Sequence, residues 1–324
     1  MQKNQILVQS SVMALPLRFV FSTLYPPPST LSLMPLSLPC PAKINLFLEV
    51  RGRRADGFHE LGTLFQALET GDTLSAELAD TLEIAGAEGV TDKPADNLIL
   101  RAARLLQERY GAHKTGIRFT LQKRLPMGAG LGGGSSDAAS ALRLANDLWN
   151  LGATPAELRA LGAELGSDVP FFLGTPTAFA EGRGEELTPA PAPYPFHVVV
   201  ATPRCHVETA GAYRSLAAHL GGTYGNRWPD FRVKFERDSQ NPEIYRELFN
   251  DFEAPIVAQF PEIGVVLDRL NAFRPEKAMM TGSGASVFAL FREETPAREC
   301  LAGIAPQCRY SVLTQFSTKV EGRS

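Results

Sequence analysis

Pro126-Met127-Gly128-Ala129-Gly130-Leu131-Gly132-Gly133-Gly134-Ser135-Ser136 holds five glycines in eleven residues. Without Cβ atoms these positions can take positive φ, and their N–H groups can converge on one point. Upstream, Ile117, Phe119 and Leu121 alternate with Arg118, Thr120 and Gln122, which predicts a strand with one wet face. Downstream, Ala138, Ala141, Leu142, Ala145, Leu148 and Trp149 form an apolar stripe that predicts a helix over 135–151, stopped by Gly152. The glycines therefore end where a helix begins. Orphan amides and the positive end of the helix dipole point back at them and form an anion site suited to a phosphate chain. Ser135 and Ser136 add hydroxyls able to donate to phosphate oxygens or to coordinate Mg²⁺.

Rival readings of the same stretch fare less well. A Walker A loop needs a Lys-Ser/Thr pair after its glycines, and none follows. Gly128, Gly130 and Gly133 match the dinucleotide pattern G-x-G-x-x-G formally. However, the preceding strand alternates, whereas a doubly wound sheet buries its strands on both faces. The acidic residue expected about 20 positions on is also missing from a strand end. A flexible linker would not be bracketed so closely by a strand and a helix.

Outward from the loop, strands are expected at 43–50, 61–68 and 73–78, and a helix at 97–110 capped by Asp96. Thr154-Pro155-Ala156-Glu157 opens a further helix with a capping box, which Gly166 ends. Four prolines in 189–195 suggest a link to a second block, with a strand at 198–201, helical stretches at 210–219, 245–252 and 263–271, and a strand at 287–291. The polar stretch 221–241 reads as a surface loop. Wet-faced strands mixed with helices argue for an α+β fold with antiparallel strands.

The chain has 324 residues, enough for two domains. A formal net charge of −3 gives no global basic field for nucleic acid or an anionic membrane, so phosphates must meet local donors. Cys40, Cys205, Cys300 and Cys308 lack metal or redox spacing and read as reduced thiols of a cytoplasmic protein. Residues 1–39 carry no Asp or Glu, and their only apolar stretch is too short and broken to span a membrane. They are expected to form an extension that is disordered or untranslated, with translation starting at Met34.

Pro126–Ser136 resembles the central motif of the galactokinase, homoserine kinase, mevalonate kinase and phosphomevalonate kinase (GHMP) superfamily. Pro41-Ala42-Lys43-Ile44-Asn45-Leu46 resembles its first motif, and Thr281-Gly282-Ser283-Gly284-Ala285-Ser286 its third. Four further stretches are similar to one family within it, the 4-diphosphocytidyl-2-C-methyl-D-erythritol kinases. They are Arg54-Ala55-Asp56-Gly57-Phe58-His59, Gly166-Ser167-Asp168-Val169-Pro170-Phe171-Phe172, Phe179-Ala180-Glu181-Gly182-Arg183-Gly184 and Asn250-Asp251-Phe252-Glu253. The likeness runs from residue 40 to about 317.

The resemblance implies a two-domain GHMP-kinase fold with the active site in the interdomain cleft. A ribosomal-S5-domain-2-like, ATP-binding domain would span 40–188, and a ferredoxin-like substrate domain 189–318. It implies ATP-dependent phosphorylation of the acceptor's 2-hydroxyl, in the non-mevalonate pathway to isopentenyl diphosphate. The partner is then a small cytidine-diphospho sugar alcohol, with neither nucleic acid nor membrane involved, and Mg²⁺ accompanies ATP. The alternative is a non-catalytic small-molecule-binding protein on the same fold. By the same resemblance, Asp168 is the base and Lys43 offsets charge. Pro126, Met127, Gly128, Ala129, Gly130, Leu131, Gly132, Gly133, Gly134, Ser135, Ser136 and Asn97 bind ATP. Asn45, Phe58, His59, Thr209 and Tyr213 bind the acceptor, Phe58 standing where tyrosine is more usual and keeping the stacking role. No metal-ligand set is assigned.

Overall fold

A computed structural model describes residues 35–91, 93–112 and 115–319. Two long antiparallel strands, β1 (Leu36–Arg53) and β2 (His59–Ala79), run together through most of their length. Then follow β3 (Glu83–Ala85), α1 (Leu98–Tyr110), β4 (Gly116–Gln122), α2 (Gly133–Leu148), α3 (Pro155–Leu165), β5 (Thr177–Glu181) and β6 (Glu186–Pro189). These strands form one sheet in the order β3-β4-β2-β5-β6, with β1 beside β2 and only β3–β4 parallel. The second half comprises β7 (His197–Pro203), α4 (Thr209–Leu220), α5 (Trp228–Asp238), α6 (Glu253–Gln259), α7 (Pro261–Ala272), β8 (Lys277–Met280), β9 (Val287–Phe291), α8 (Glu294–Ile304) and β10 (Cys308–Gln315). Its antiparallel sheet has the order β10-β7-β9-β8, the ferredoxin-like arrangement.

The sheet changes between Pro189 and His197, across the proline-rich stretch. The two sheets nevertheless share an apolar cluster that joins Ile44 and Leu46 of β1 to Val198 of β7, Phe288 of β9 and Trp228 of α5. Helices α1, α2 and α3 cover the first sheet through a second cluster, and α4, α6, α7 and α8 cover the other sheet through a third.

Several expectations are corrected. Residues 36–39 belong to β1, not to an extension, because Leu36–Pro39 pair with Thr73–Ala76; the rest of the expected extension, 1–34, lies outside the described residues. The strands expected at 61–68 and 73–78 are one strand, since β1 offers a continuous partner and absorbs irregularities in bulges. Helix α1 is capped by Asn97, whose side chain accepts from Ile99 N, not by Asp96. The stretch 221–241 is not simply a loop. Trp228, Phe231 and Phe235, at i, i+3 and i+7, put one face of α5 into the shared core. Residues 245–252 do not form a helix of their own, because a 3₁₀ turn ends at Glu247 and α6 starts at Glu253.

Candidate active site

The phosphate-loop reading depends on how 126–136 is held. Helix α2 begins at Gly133, two residues earlier than its apolar stripe predicts, because glycines at a helix start leave N–H groups that have no helical acceptor anyway. Gly132 precedes it at φ 70°, in the left-handed region. A Cβ there would also come within 2.9 Å of Lys43 Cγ and of the Phe172 ring, so both conformation and space require glycine. Backbone bonds lock the loop on two sides: Lys43 N donates to Leu131 O at 2.9 Å, and Ser286 N donates to Ala129 O at 3.2 Å. The three motifs noted in the sequence thus meet, one on each side of the central loop.

They meet at an open cavity of about 750 Å³. Its walls include Gly130, Gly132 and Ser135 from the loop and helix, Lys43 and Asn45 from β1, and Asp168 from the turn after α3. Lys43 is 5% exposed, and its ammonium lies 3.5 Å from Asp168 Oδ2 and donates to Asn45 Oδ1 at 2.9 Å. Asn45 is itself fixed, as Nδ2 donates to Thr63 Oγ1 at 2.8 Å and its backbone N donates to Thr281 Oγ1 at 2.8 Å. Asp168 keeps a third of its side chain exposed, so a second oxygen can face a ligand. The turn carrying it is anchored by buried Val169, Phe171 and Phe172.

The other end of the cavity is aromatic. His59 stacks on Tyr213 with centroids 4.8 Å apart and planes 20° apart, and Phe252 meets Tyr213 edge-on at 4.9 Å. Burial, with the Asp168 charge added, pushes the Tyr213 phenol up to about 12. Burial and then the Arg53 charge hold His59 below the ordinary histidine range, so its ring is neutral near pH 7. Phe58 is 54% exposed, and Arg183 lies 4.9 Å over its ring. Thr209, one turn before Tyr213 on α4, is 3.3 Å from the Ser283 hydroxyl.

The structure therefore brings together Lys43, Asn45, Phe58, His59, Gly130, Gly132, Ser135, Asp168, Thr209 and Tyr213. Pro126, Met127, Gly128, Ala129, Leu131, Gly133 and Gly134 do not line this cavity. Ser136 does not either; its hydroxyl is buried without a hydrogen-bond partner among the described residues and lies beside a separate cavity, so Ser135 is the hydroxyl that faces the site. Asn97 is buried and serves as the cap of α1, away from the lining.

Sequence reading passed over a supporting residue, Asn250, although its stretch was noted. Its Nδ2 donates to Met280 O at 2.8 Å and to Gly282 O at 2.9 Å, while Oδ1 accepts from Phe252 N. Glu253 accepts from Met280 N, and Asp251 accepts from Val50 N. One tetrapeptide thereby ties β1, the 281–284 turn and the Phe252–Tyr213 contact together. An amide matching two carbonyls was the only signal, and it needs the fold to be seen.

Comparison with known proteins agrees with this geometry. Residues 97–175 match the GHMP kinases N terminal domain and residues 234–307 the GHMP kinases C terminal domain. A crystal structure of mevalonate kinase superposes with a TM-score of 0.63 at 15% identity, covering 88% of this chain and all of that one, which speaks to the fold. Fold and cavity define a small-molecule kinase of the GHMP class, and such kinases use ATP as co-substrate. A 4-diphosphocytidyl-2-C-methyl-D-erythritol kinase of Paraburkholderia phymatum is 43% identical over 258 residues, 79% of this chain and 86% of that protein. One of Alcanivorax borkumensis is 45% identical over 260 residues, 79% of this chain and 82% of that protein. A crystal structure of 4-(cytidine 5'-diphospho)-2C-methyl-D-erythritol kinase superposes with a TM-score of 0.74 at 35% identity, covering 88% of this chain and all of that one. The chain belongs to the 4-diphosphocytidyl-2-C-methyl-D-erythritol kinase family.

Proposed function

We propose that this enzyme transfers the γ-phosphoryl group of ATP to the 2-hydroxyl of 4-diphosphocytidyl-2-C-methyl-D-erythritol, a step in the non-mevalonate route to isopentenyl diphosphate. The observation that carries this reading is the Lys43–Asp168 pair, 3.5 Å apart and opposite the phosphate loop. Asp168 takes the hydroxyl proton as the oxygen attacks the γ-phosphorus, and the bond from that phosphorus to the bridging oxygen of ADP breaks. Lys43 offsets charge on the transferring group and orients the Asp168 carboxylate from 3.5 Å. Asn45 acts mainly by holding Lys43. Gly130, Gly132 and Ser135 contact the phosphates, and the remaining residues of 126–136 give that turn its shape.

Mg²⁺ would accompany ATP, held largely by phosphate oxygens and water, with the Ser135 hydroxyl as a protein oxygen that faces the cavity. It would supply charge neutralisation of the phosphates. Among the described residues no group of three or more His, Cys, Asp and Glu side chains is placed to hold a metal ion. Phe58 and the His59–Tyr213 pair offer flat surfaces for cytosine, and Thr209 a hydroxyl. Because those groups come from both halves of the chain, we assign residues 40–188 to ATP binding and part of the acceptor site, and 189–318 to the rest of the acceptor site. We place the enzyme in the cytoplasm; no helix among the described residues is long and apolar enough to cross a membrane.

ADP release with the cytidine-diphospho sugar alcohol, and with mevalonate and homoserine as controls, tests the reading. Turnover with the first and a product heavier by one phosphate are expected. Turnover only with a control, or with none, overturns it.

A further inference from the structure

Phosphoryl transfer leaves one cation of the cavity without a task. Among the described lining residues, Lys43 and Arg183 carry the formal positive charges, and Lys43 is committed to Asp168 and Asn45. Arg183 sits at the tip of the β5–β6 hairpin, between Gly182 at φ 67° and Gly184 at φ 104°. The hairpin is pinned to the start of β2, where Leu61 N donates to Gly182 O at 2.7 Å and Gly182 N to Glu60 Oε1 at 3.2 Å. Arg183 is thereby held beside the start of β2, next to Phe58 at the aromatic end of the cavity and not at the phosphate loop.

The side chain is oriented as well as placed. Its Nε donates to Glu185 Oε1 at 3.2 Å, its backbone N donates to Glu185 Oε2 at 2.6 Å, and its guanidinium lies over the Phe58 ring. That engages the Nε edge and one face of the guanidinium plane and leaves the two terminal amino groups for a ligand. Such a fork matches two phosphate oxygens at once. Protein charge nearby, including Asp56 and Glu185, does not satisfy those amino groups by hydrogen bonds among the described residues.

We infer that Arg183 binds the diphosphate of the acceptor and makes the enzyme select a cytidine diphosphate over cytidine. The inference rests on the acceptor proposed above. A diphosphate linking a base at Phe58 and His59 to a hydroxyl at Asp168 must cross this part of the cavity, and its charge needs a counterion there.

The test is equilibrium binding of cytidine and of cytidine diphosphate to the full chain, with Arg183→Met and Arg183→Lys, alongside steady-state kinetics. Arg183→Met is expected to weaken cytidine diphosphate by about ten- to a hundredfold, the scale of a lost charged hydrogen-bond pair. Cytidine affinity and KM for ATP should stay within about twofold, while KM for the acceptor rises in step with the diphosphate loss. Arg183→Lys should recover part of the loss, since it keeps the charge without the fork. Equal losses for cytidine and its diphosphate would mean that Arg183 only supports Phe58, and would overturn the inference. So would unchanged diphosphate binding in Arg183→Met, which leaves the proposed acceptor standing. Absence of both ligands from the parent enzyme would remove acceptor and inference together.

Discussion

Lys43 shows how a residue's chemistry depends on its neighbours. A strand lysine is ordinarily a solvated charge, yet this one is buried and has a carboxylate and an amide oxygen as partners. Desolvation strengthens its pull on Asp168 and on any phosphoryl group between loop and turn. Asp168→Asn preserves shape and removes the proton acceptor. Its kcat is expected to fall by about 10²–10⁴-fold, the usual weight of a general base. Its melting temperature should stay close to that of the parent, because the side chain is partly exposed and its anchors are Val169, Phe171 and Phe172. Near-parental turnover in a single-turnover assay would refute the base assignment. Both residues could be singled out in the sequence only through resemblance, since no spacing links positions 43 and 168.

At the scale of elements, turns close a site whose other side chains come from β1, the start of β2, α2 and α4. The glycine-rich loop was legible because a strand and a helix bracket it and its composition is extreme. The β5–β6 tip and the 281–284 turn were legible as motifs but not as walls of a cavity. Asn250 holds the latter turn by two carbonyls. Asn250→Ala leaves both acceptors buried without partners, which is expected to cost about 2–4 kcal/mol in denaturant unfolding. It should also lower kcat, because the turn that faces Gly130 and fixes Asn45 through Thr281 loses its support. Parental stability and kcat would show that the turn is held by its own backbone. Helix α5 is one of the elements that sequence reading missed. Its charged residues outnumber its aromatic ones, so its three buried rings become a stripe only when the shared core is known.

For the whole molecule, burial beneath the phosphate loop makes stability depend on pH. Lys123 bridges Asp72 and Asp137 at 2.6 and 2.8 Å, and Asp72 also accepts from Arg124 N and Leu125 N at the root of the loop. Burial outweighs the Lys123 charge at Asp137 and pushes its carboxyl from 3.8 up to about 6. The folded state therefore prefers this group protonated, so its contribution to stability is greatest below pH 4 and declines as pH rises to 6. The difference is worth at most about 3 kcal/mol. Asp137→Asn should remove that slope: the variant's melting temperature relative to the parent is expected to rise from pH 4 to 6 and level off above. A difference independent of pH would rule out a raised Asp137.

The sequence by itself determined the glycine-rich turn at a helix start, the antiparallel α+β character and, through ordered motifs, the family. Those follow from local properties: glycine conformation, alternation along a strand, and a helix start next to a loop. Only the tertiary structure decided that Ser135 and not Ser136 faces the cavity, that Asn45 serves Lys43, that residues 36–39 extend a strand, and that Arg183 stands over Phe58 at the aromatic end. Each of these turns on which distant residue fills the neighbouring space, and contacts such as Asn45–Thr281 span more than two hundred positions of chain. For the opening stretch, sequence explained why a phosphate can bind there, and tertiary contacts from Lys43 and Ser286 explained what holds it open.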